Sequence, residues 1–190
     1  IPERDRQFAE HLFEGKTGLP IIGLNTGCGP VFETKAWTIQ GFRRLIELII
    51  QNTDATVVLL GGKRERPIHD AILNECATMA GDRLMDAGTK NSLTEFFAIV
   101  NQCDVVVSTD SLAMHVAIAL RKQVVAFFGP TCEQEIDLYD RGEKIVTDYE
   151  CSPCYLKSCD VRPSCMQALT GDTVYESVSR CLNQIEVSNG

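Results

Sequence analysis

Short apolar runs alternate with amphipathic segments along the whole chain. The runs are continuous rather than alternating, and they lie at residues 20–25, 56–62, 84–88, 104–110, 123–131 and 144–148. Continuous apolar strands are typical of a parallel sheet that is covered on both faces. The intervening segments repeat apolar residues at helical spacing, as at Phe42, Leu45, Ile46 and Ile49. The pattern predicts an α/β domain with a doubly wound, mostly parallel, Rossmann-like sheet.

Capping residues mark where several of the predicted helices begin. Thr38 is expected to cap the segment TIQGFRRLIELIIQN, and Ser92 is expected to cap SLTEFFAIVNQC with Glu95 at the capping-box position. Asp172 is expected to cap the last helix, TVYESVSRCLNQI. Two further helices are predicted over RPIHDAILNECATMA and SLAMHVAIALR. The helices therefore separate successive strands, as crossover connections require.

The chain divides into a short lead-in and one domain. Residues 1–19 are predicted to form a lead-in helix, with Phe8, Leu12 and Phe13 on one side, that ends in Gly and Pro breakers. Residues 20–190 show no internal repeat and no second core, so they are expected to form one ligand-binding domain. The chain does not begin with Met, which suggests a piece of a longer chain.

The charge balance narrows the classes of partner. The formal net charge of −8 argues against a nucleic-acid binder, which would need a basic face.

No apolar run approaches the roughly 20 residues that span a bilayer, so no transmembrane segment is predicted. The N-terminus also lacks the layout of a signal peptide. A secreted disulfide scaffold would be smaller and more uniformly rich in cysteine, so we expect a reducing, cytoplasmic setting.

Ligands of a doubly wound sheet bind at the carboxyl ends of its strands. Here those ends, at 25–27, 61–62, 108–110 and 129–131, are rich in Gly, small hydroxyl residues or carboxamide. Gly permits close backbone approach, and free amides at a following helix N-terminus favour a phosphate. Lys35, in the loop after the first strand, could reach the same crevice as a point charge. The alternative is that each Gly pair is an ordinary turn and that Lys35 is a solvated lysine.

The stretch STDSLAMH places Asp110, Ser111 and His115 where a strand gives way to a helix. Ser111 and His115 would share one helix face, and Asp110 would sit at or next to the N-cap. A nucleophilic Ser–His pair also needs an orienting group and an oxyanion hole, which nothing nearby supplies. The sequence leaves open a ligand cradle and a capped helix with a core histidine. The fingerprints GxGxxG, GxxxxGK[ST] and GxSxG are absent from the sequence.

The stretch VVVSTDSLAMHVAIALRKQVVAFFGPT resembles the signature of glycosyltransferase family 9, the ADP-heptose:lipopolysaccharide heptosyltransferases. The segment IGLNTGCGPVFETKAW, with its Lys-x-Trp, resembles the first donor-domain loop of that family. VVLLGG followed by Glu65 resembles the second loop, and SLTEFFAIVNQC resembles the segment that leads into the signature. The resemblance covers about residues 20–185.

The resemblance implies the C-terminal, donor-binding half of a GT-B enzyme that transfers heptose from an ADP-sugar to the lipopolysaccharide core with inversion. Lys35 would neutralise the donor phosphate and Asp110 would contact the donor sugar. The pyrophosphate would lie against Ser111 and the adjoining amide of Leu112, with His115 lining the same pocket. The remaining residues that would shape the nucleotide pocket are Thr26, Gly27, Gly62, Ser92, Gly129, Pro130 and Thr131. Transfer would require no cofactor.

Two features depart from the family pattern. Leu112 stands where well-known members have Gly, which bears on how closely a pyrophosphate can approach. The N-terminal domain that would carry the catalytic base and the acceptor site is missing, so this chain alone is expected to bind a nucleotide-sugar without turning it over. The full enzyme would be cytoplasmic and peripheral at the inner membrane. Two rivals stay open: another GT-B-type nucleotide-sugar enzyme such as an epimerase, and a non-catalytic module.

Nine cysteines fall into two groups. Cys28, Cys76, Cys103, Cys132 and Cys181 lie among apolar segments and are expected to be small buried residues in a reducing compartment. The loop 151–165 holds the other four, Cys151, Cys154, Cys159 and Cys165. Four thiolates complete a tetrahedral metal site, so a structural Zn or Fe is predicted there, with reduced thiols or a disulfide pair as the alternatives.

Overall fold

Each of the six apolar runs forms a strand. The structure, a computed structural model, describes residues 1–16 and 18–189. Thr17 and Gly190, which fall in the predicted segments 1–19 and 20–190, lie outside the described residues. The strands are β1 (Ile21–Asn25), β2 (Thr56–Leu60), β3 (Leu84–Asp86), β4 (Val105–Thr109), β5 (Gln123–Phe128) and β6 (Gly142–Val146).

The six strands form one sheet in the order β3-β2-β1-β4-β5-β6, and every neighbouring pair is parallel. This confirms the prediction of a doubly wound α/β fold. The chain builds outward from β1 through β2 to β3, and then β4 starts the other half on the opposite side of β1. The strand order therefore reverses between β1 and β4, and the carboxyl ends of those two strands border the crevice where such sheets bind ligands.

Helices connect the strands and cover both faces of the sheet. They are α1 (Glu3–Leu12), α2 (Ile39–Asn52), α3 (Arg66–Ala80), α4 (Leu93–Gln102), α5 (Leu112–Ala119), α6 (Cys165–Ala168) and α7 (Gly171–Asn189). The Thr38 hydroxyl accepts from the Gly41 amide, and Ser92 forms a capping box with Glu95, so both predicted caps are confirmed. None of the described helices is both long enough and apolar enough to cross a bilayer.

The predicted cap of the last helix is wrong. Asp172 lies inside α7, and its carboxylate accepts from Arg44 of α2 at 2.8 and 3.1 Å. The hydroxyl of Thr170 accepts instead from the Thr173 amide at 3.2 Å. Because α2 and α7 pack against each other, the guanidinium of Arg44 reaches the carboxylate from a neighbouring helix, a contact that local sequence does not encode.

Alternate strand residues point to two separate cores. Ile22 and Leu24 of β1 face α2, α3 and α7, whereas Ile21 of the same strand faces α1, α4 and α5. The lead-in helix α1 packs on α4, with Ala9 fully buried in the second core and Phe8 exposed. Coverage on both faces explains why β1, β2, β4 and nearly all of β5 are buried, whereas the edge strand β6 has half-buried and exposed positions.

Candidate functional site

A cleft of about 400 Å³ opens at the carboxyl edge of the sheet. Its walls are the loops after β1 and β2 together with the starts of α4 and α5. Glycines form much of the floor because there is no room for side chains: a Cβ on Gly27 would lie 3.0 Å from Cδ of Glu65, and a Cβ on Gly61 would lie 2.9 Å from Nε2 of His69. The two glycines thus allow the side chains of Glu65 and His69 to pack directly against the loops of the cleft floor.

Asn25 ties together the two strands between which the sheet order reverses. Its side-chain amide lies 2.6 Å from the Gly27 carbonyl oxygen and 3.1 Å from the hydroxyls of both Ser108 and Ser111. The Ser108 and Ser111 hydroxyls lie 2.9 Å apart. These contacts fix the loop after β1 relative to the start of α5. They also engage the Ser111 hydroxyl away from His115, which does not favour a nucleophilic Ser–His pair.

Lys35, Asp110 and His115 form a charged group beside the cleft. The Lys35 ammonium donates to the Asp110 carbonyl at 2.7 Å and lies 3.4 Å from Oδ2 of its carboxylate. The other carboxylate oxygen lies 3.8 Å from Nε2 of His115. The His115 side chain is 56% exposed, so the alternative of a core histidine is wrong. The three side chains therefore meet at the carboxyl end of β4, where a ligand cradle was one of the two alternatives that the sequence left open.

The loop that carries Lys35 is anchored at both sides of the lysine. Thr34 donates from its hydroxyl to the Leu156 carbonyl at 2.7 Å. Trp37 is buried against Phe127, and its indole donates to the Leu169 carbonyl at 2.9 Å. The Lys-x-Trp pattern is therefore a lysine held in place by a buried aromatic anchor two residues away.

The first turn of α5 keeps its amides free of side-chain caps. Ser111 is the N-cap residue, yet its side chain makes no capping hydrogen bond, and the Asp110 carboxylate turns toward Lys35. Asp110 therefore lies next to the N-cap, as predicted, but its carboxylate does not cap the helix. Leu112, the first residue of the helix, lines the cleft with a side chain that is 56% exposed. Uncapped amides at a helix N-terminus form a favourable position for an anion.

The predicted site residues fall into three places. Gly27, Gly62, Ser111 and Leu112 line the cleft, whereas Thr26 is buried below it and Ser92 caps α4 at its margin. Lys35, Asp110 and His115 form the neighbouring charged group. The turn Gly129, Pro130 and Thr131 lies apart from the cleft, against the cysteine-rich loop: a Cβ on Gly129 would lie 2.6 Å from Sγ of Cys165, and Tyr155 donates to the Pro130 carbonyl.

The sequence did not single out two apolar residues and an ion pair at the cleft. Leu93 and Phe96 line it from the first turn of α4. Arg64, which lines the cleft after β2, pairs at 2.8 Å with Glu33 from the loop after β1. Leu93 is 54% exposed. The signal available in the sequence was the position of Leu93, an apolar residue directly after the predicted helix cap Ser92.

The scattered cysteines are not all core residues. Cys76, Cys103 and Cys181 are buried as predicted. The prediction is wrong for Cys28 and Cys132, which are half-buried, and Cys28 lines the cleft. Burial raises the pKa of the Cys28 thiol, with Lys35 opposing the rise, so this group is not an activated nucleophile.

The four clustered cysteines do not form a metal site as they are placed. Burial raises the pKa of the Cys165 thiol, and the nearby Cys154 and Cys159 raise it further, whereas Cys151 is exposed. Within the described part of the chain, no three His, Cys, Asp or Glu side chains are grouped closely enough to hold one metal ion. A tetrahedral four-thiolate site therefore does not fit this arrangement.

The sheet, the reversal of strand order between β1 and β4, and the cleft there define a Rossmann-like α/β domain. The model of the family described as glycosyltransferase family 9 (heptosyltransferase) matches residues 1–164. The chain therefore belongs to glycosyltransferase family 9, which confirms the resemblance seen in its motifs.

Individual relatives agree with the family. The chain is 30% identical over 128 residues to lipooligosaccharide heptosyltransferase 2 of Haemophilus influenzae, a match that covers 64% of this chain and 36% of that protein. The structure of the Escherichia coli ADP-heptose lipopolysaccharide heptosyltransferase II superposes with a TM-score of 0.75 at 21% identity, over 98% of this chain and 53% of that one. The structure of the E. coli heptosyltransferase WaaC with ADP superposes with a TM-score of 0.64 at 18% sequence identity. That match covers 91% of this chain and 48% of the WaaC chain. The chain thus spans about half of these structures.

Proposed function

We propose that the chain binds the nucleotide-sugar donor, of the ADP-heptose type, for an inverting transfer of heptose to the lipopolysaccharide core. The observation that carries this proposal is the Lys35–Asp110 pair beside the uncapped start of α5, at the point where the strand order reverses. Family membership and the E. coli neighbours, whose names refer to ADP-heptose and ADP, support the choice of donor.

Each group has a physical role in this proposal. The first amides of α5 bind the pyrophosphate, and the Lys35 ammonium neutralises its charge. Charge grows on the diphosphate as the bond to the sugar breaks, so fixed donors that point at it lower the barrier. Asp110 accepts hydrogen bonds from sugar hydroxyls, with His115 at the edge of the same pocket. These groups act without a cofactor.

The remainder of the reaction belongs to other parts of the enzyme. The catalytic base and the acceptor site lie in an N-terminal domain, and the chain alone binds donor without turnover. The enzyme works in the cytoplasm, at the inner membrane surface. Clear transferase activity of the isolated chain would contradict this division of labour.

Calorimetric titration with ADP tests donor binding. Lys35→Ala removes a charge-assisted contact, so its affinity for ADP falls roughly ten- to a hundredfold below that of the wild type. The matched control is Lys90→Ala, which removes an exposed lysine in the loop before α4 and leaves the affinity unchanged. No ADP affinity in the wild-type chain would overturn the proposal and favour a non-catalytic module.

A further inference from the structure

A buried histidine lies beneath the floor of the cleft and joins the ends of three strands. His69 projects from α3 and has no exposed surface. Its Nδ1 lies 2.8 Å from Oδ1 of Asp86, the last residue of β3, and its Nε2 lies 3.0 Å from the hydroxyl of Thr26, which follows β1. Gly61, which follows β2, packs so closely that a Cβ there would lie 2.9 Å from Nε2.

The hydrogen-bond partners of Asp86 determine which ring nitrogen of His69 carries the hydrogen. Arg66 and the Gly88 amide donate to the carboxylate. Burial raises the pKa of Asp86, but the hydrogen bonds from Arg66, Gly88 and His69 outweigh it and hold the pKa below the ordinary value. Asp86 is therefore an acceptor at neutral pH, so Nδ1 carries a hydrogen and donates to it. The bond fixes the ring and aims Nε2 at Thr26.

Thr26 transmits this orientation to the cleft. Its amide donates to the Leu60 carbonyl at 2.9 Å, and its hydroxyl lies 3.2 Å from the same oxygen. The next residue, Gly27, lines the cleft and packs on Glu65. Nε2 of His69, at 3.0 Å, is a side-chain contact of the Thr26 hydroxyl. A shift of the ring would move the Thr26–Gly27 peptide, which is part of the cleft floor.

We propose that His69 is a positioning residue for the nucleotide cleft, which holds the turn at Thr26 and Gly27 in place through its link to Asp86. The proposal rests on the donor-binding function proposed above. His69 does not line the cleft itself, and it supports the floor from below through its contact with the Thr26 hydroxyl and its packing against Gly61. Rigid support of this kind matters because a binding residue displaced by a fraction of an ångström loses its hydrogen bonds to the ligand.

Two substitutions distinguish the effects of the two hydrogen bonds that the His69 side chain makes, one with Asp86 and one with Thr26. The amide of His69→Asn takes the place of Nδ1 and keeps a donor for Asp86, whereas the amide of His69→Gln takes the place of Nε2 and keeps a partner for Thr26. Both remove the ring, and Asn, which is one methylene shorter than Gln, leaves the larger space. We expect His69→Asn to weaken ADP binding about tenfold, and His69→Gln to stay within about threefold of the wild type. Ile72→Val, buried in the same helix, controls for general loss of stability.

Amide hydrogen exchange of the free protein gives a readout that does not depend on ADP. We expect the amides of Thr26 and Gly27 to exchange faster in His69→Asn than in His69→Gln or Ile72→Val. Equal exchange and equal ADP affinity in the two His69 variants would overturn the positioning role. A different result would be faster exchange of these amides in His69→Asn alone, together with no ADP binding by the wild type. That result would support the positioning of the turn by His69 and overturn the donor-binding function instead.

Discussion

The Lys35 ammonium donates to the backbone carbonyl of Asp110 at 2.7 Å and lies 3.4 Å from the carboxylate of the same residue. The shorter of the two contacts is to the main chain, so substitution of the Asp110 side chain leaves the lysine a partner. The lysine and the carboxylate are both mostly buried, and His115 touches the carboxylate from the solvent side. Substitutions at Lys35 and Asp110 therefore have different expected effects.

Asp110→Asn is expected to separate sugar binding from diphosphate binding. The substitution removes a negative charge next to the proposed phosphate position, so ADP affinity holds or rises. It also weakens the acceptor for the sugar hydroxyls, so the advantage of ADP-heptose over ADP shrinks by about tenfold. Calorimetry with the two ligands measures the ratio. An equal loss of affinity for both ligands would contradict a sugar-specific role for the carboxylate.

Leu112 is expected to limit how closely a pyrophosphate approaches the start of α5. Its side chain lines the cleft at the first residue of the helix. Leu112→Ala and Leu112→Gly clear that space in two steps, and ADP affinity is expected to rise severalfold in the same order. Gly also lowers helix propensity, by at most about 1 kcal/mol at this first helical position, and thermal unfolding measures that cost separately. Unchanged affinity in both variants would show that Leu112 does not hinder the ligand.

Metal content tests the prediction for the cysteine-rich loop. A Zn or Fe site at Cys151, Cys154, Cys159 and Cys165 gives about one metal atom per chain by elemental analysis. Cys159→Ser lowers that amount, whereas Cys132→Ser, outside the group, leaves it unchanged. Because the thiols are not placed for shared coordination, such a site requires the loop to close around the ion. A substoichiometric amount in the wild-type protein would remove the prediction and favour free thiols.

Asp86→Asn is expected to lower stability at neutral pH and to remove part of its acid dependence. The folded-state pKa of Asp86 lies below the ordinary 3.8, because hydrogen bonds from Arg66, Gly88 and His69 outweigh the effect of burial. A carboxylate whose pKa is lower in the folded than in the unfolded state stabilises the fold at pH values above its ordinary pKa. That stabilisation is lost as the pH falls through the folded-state pKa.

Urea unfolding measures this effect. At pH 7 the Asp86→Asn variant should be less stable by about 1–3 kcal/mol, and the difference should shrink as the pH falls below 3.8. Asp54→Asn, at an exposed position before β2, is the control and should change little at either pH. A difference that stays constant between pH 7 and pH 3 would show that the Asp86 charge contributes nothing to folding.

The sequence by itself determined the elements and where several of them begin. Apolar runs predicted all six strands, because the inner strands of a sheet covered on both faces have no polar side. The caps at Thr38 and Ser92 were also predictable, since each depends only on residues up to three positions away. Asp172 failed as a cap because Arg44, 128 residues away in sequence, takes its carboxylate.

The tertiary structure alone decided which polar groups meet. Gly, Ser, Lys and Asp at the strand ends marked the carboxyl edge, but the partners of Asn25 depend on β4 lying beside β1, which periodicity does not encode. His69 appeared only as one residue of a helical segment. Its bond to Thr26 joins positions 43 residues apart, and its bond to Asp86 requires β3 at the sheet edge. Short-range patterns fix local structure, whereas the site is assembled by strand order.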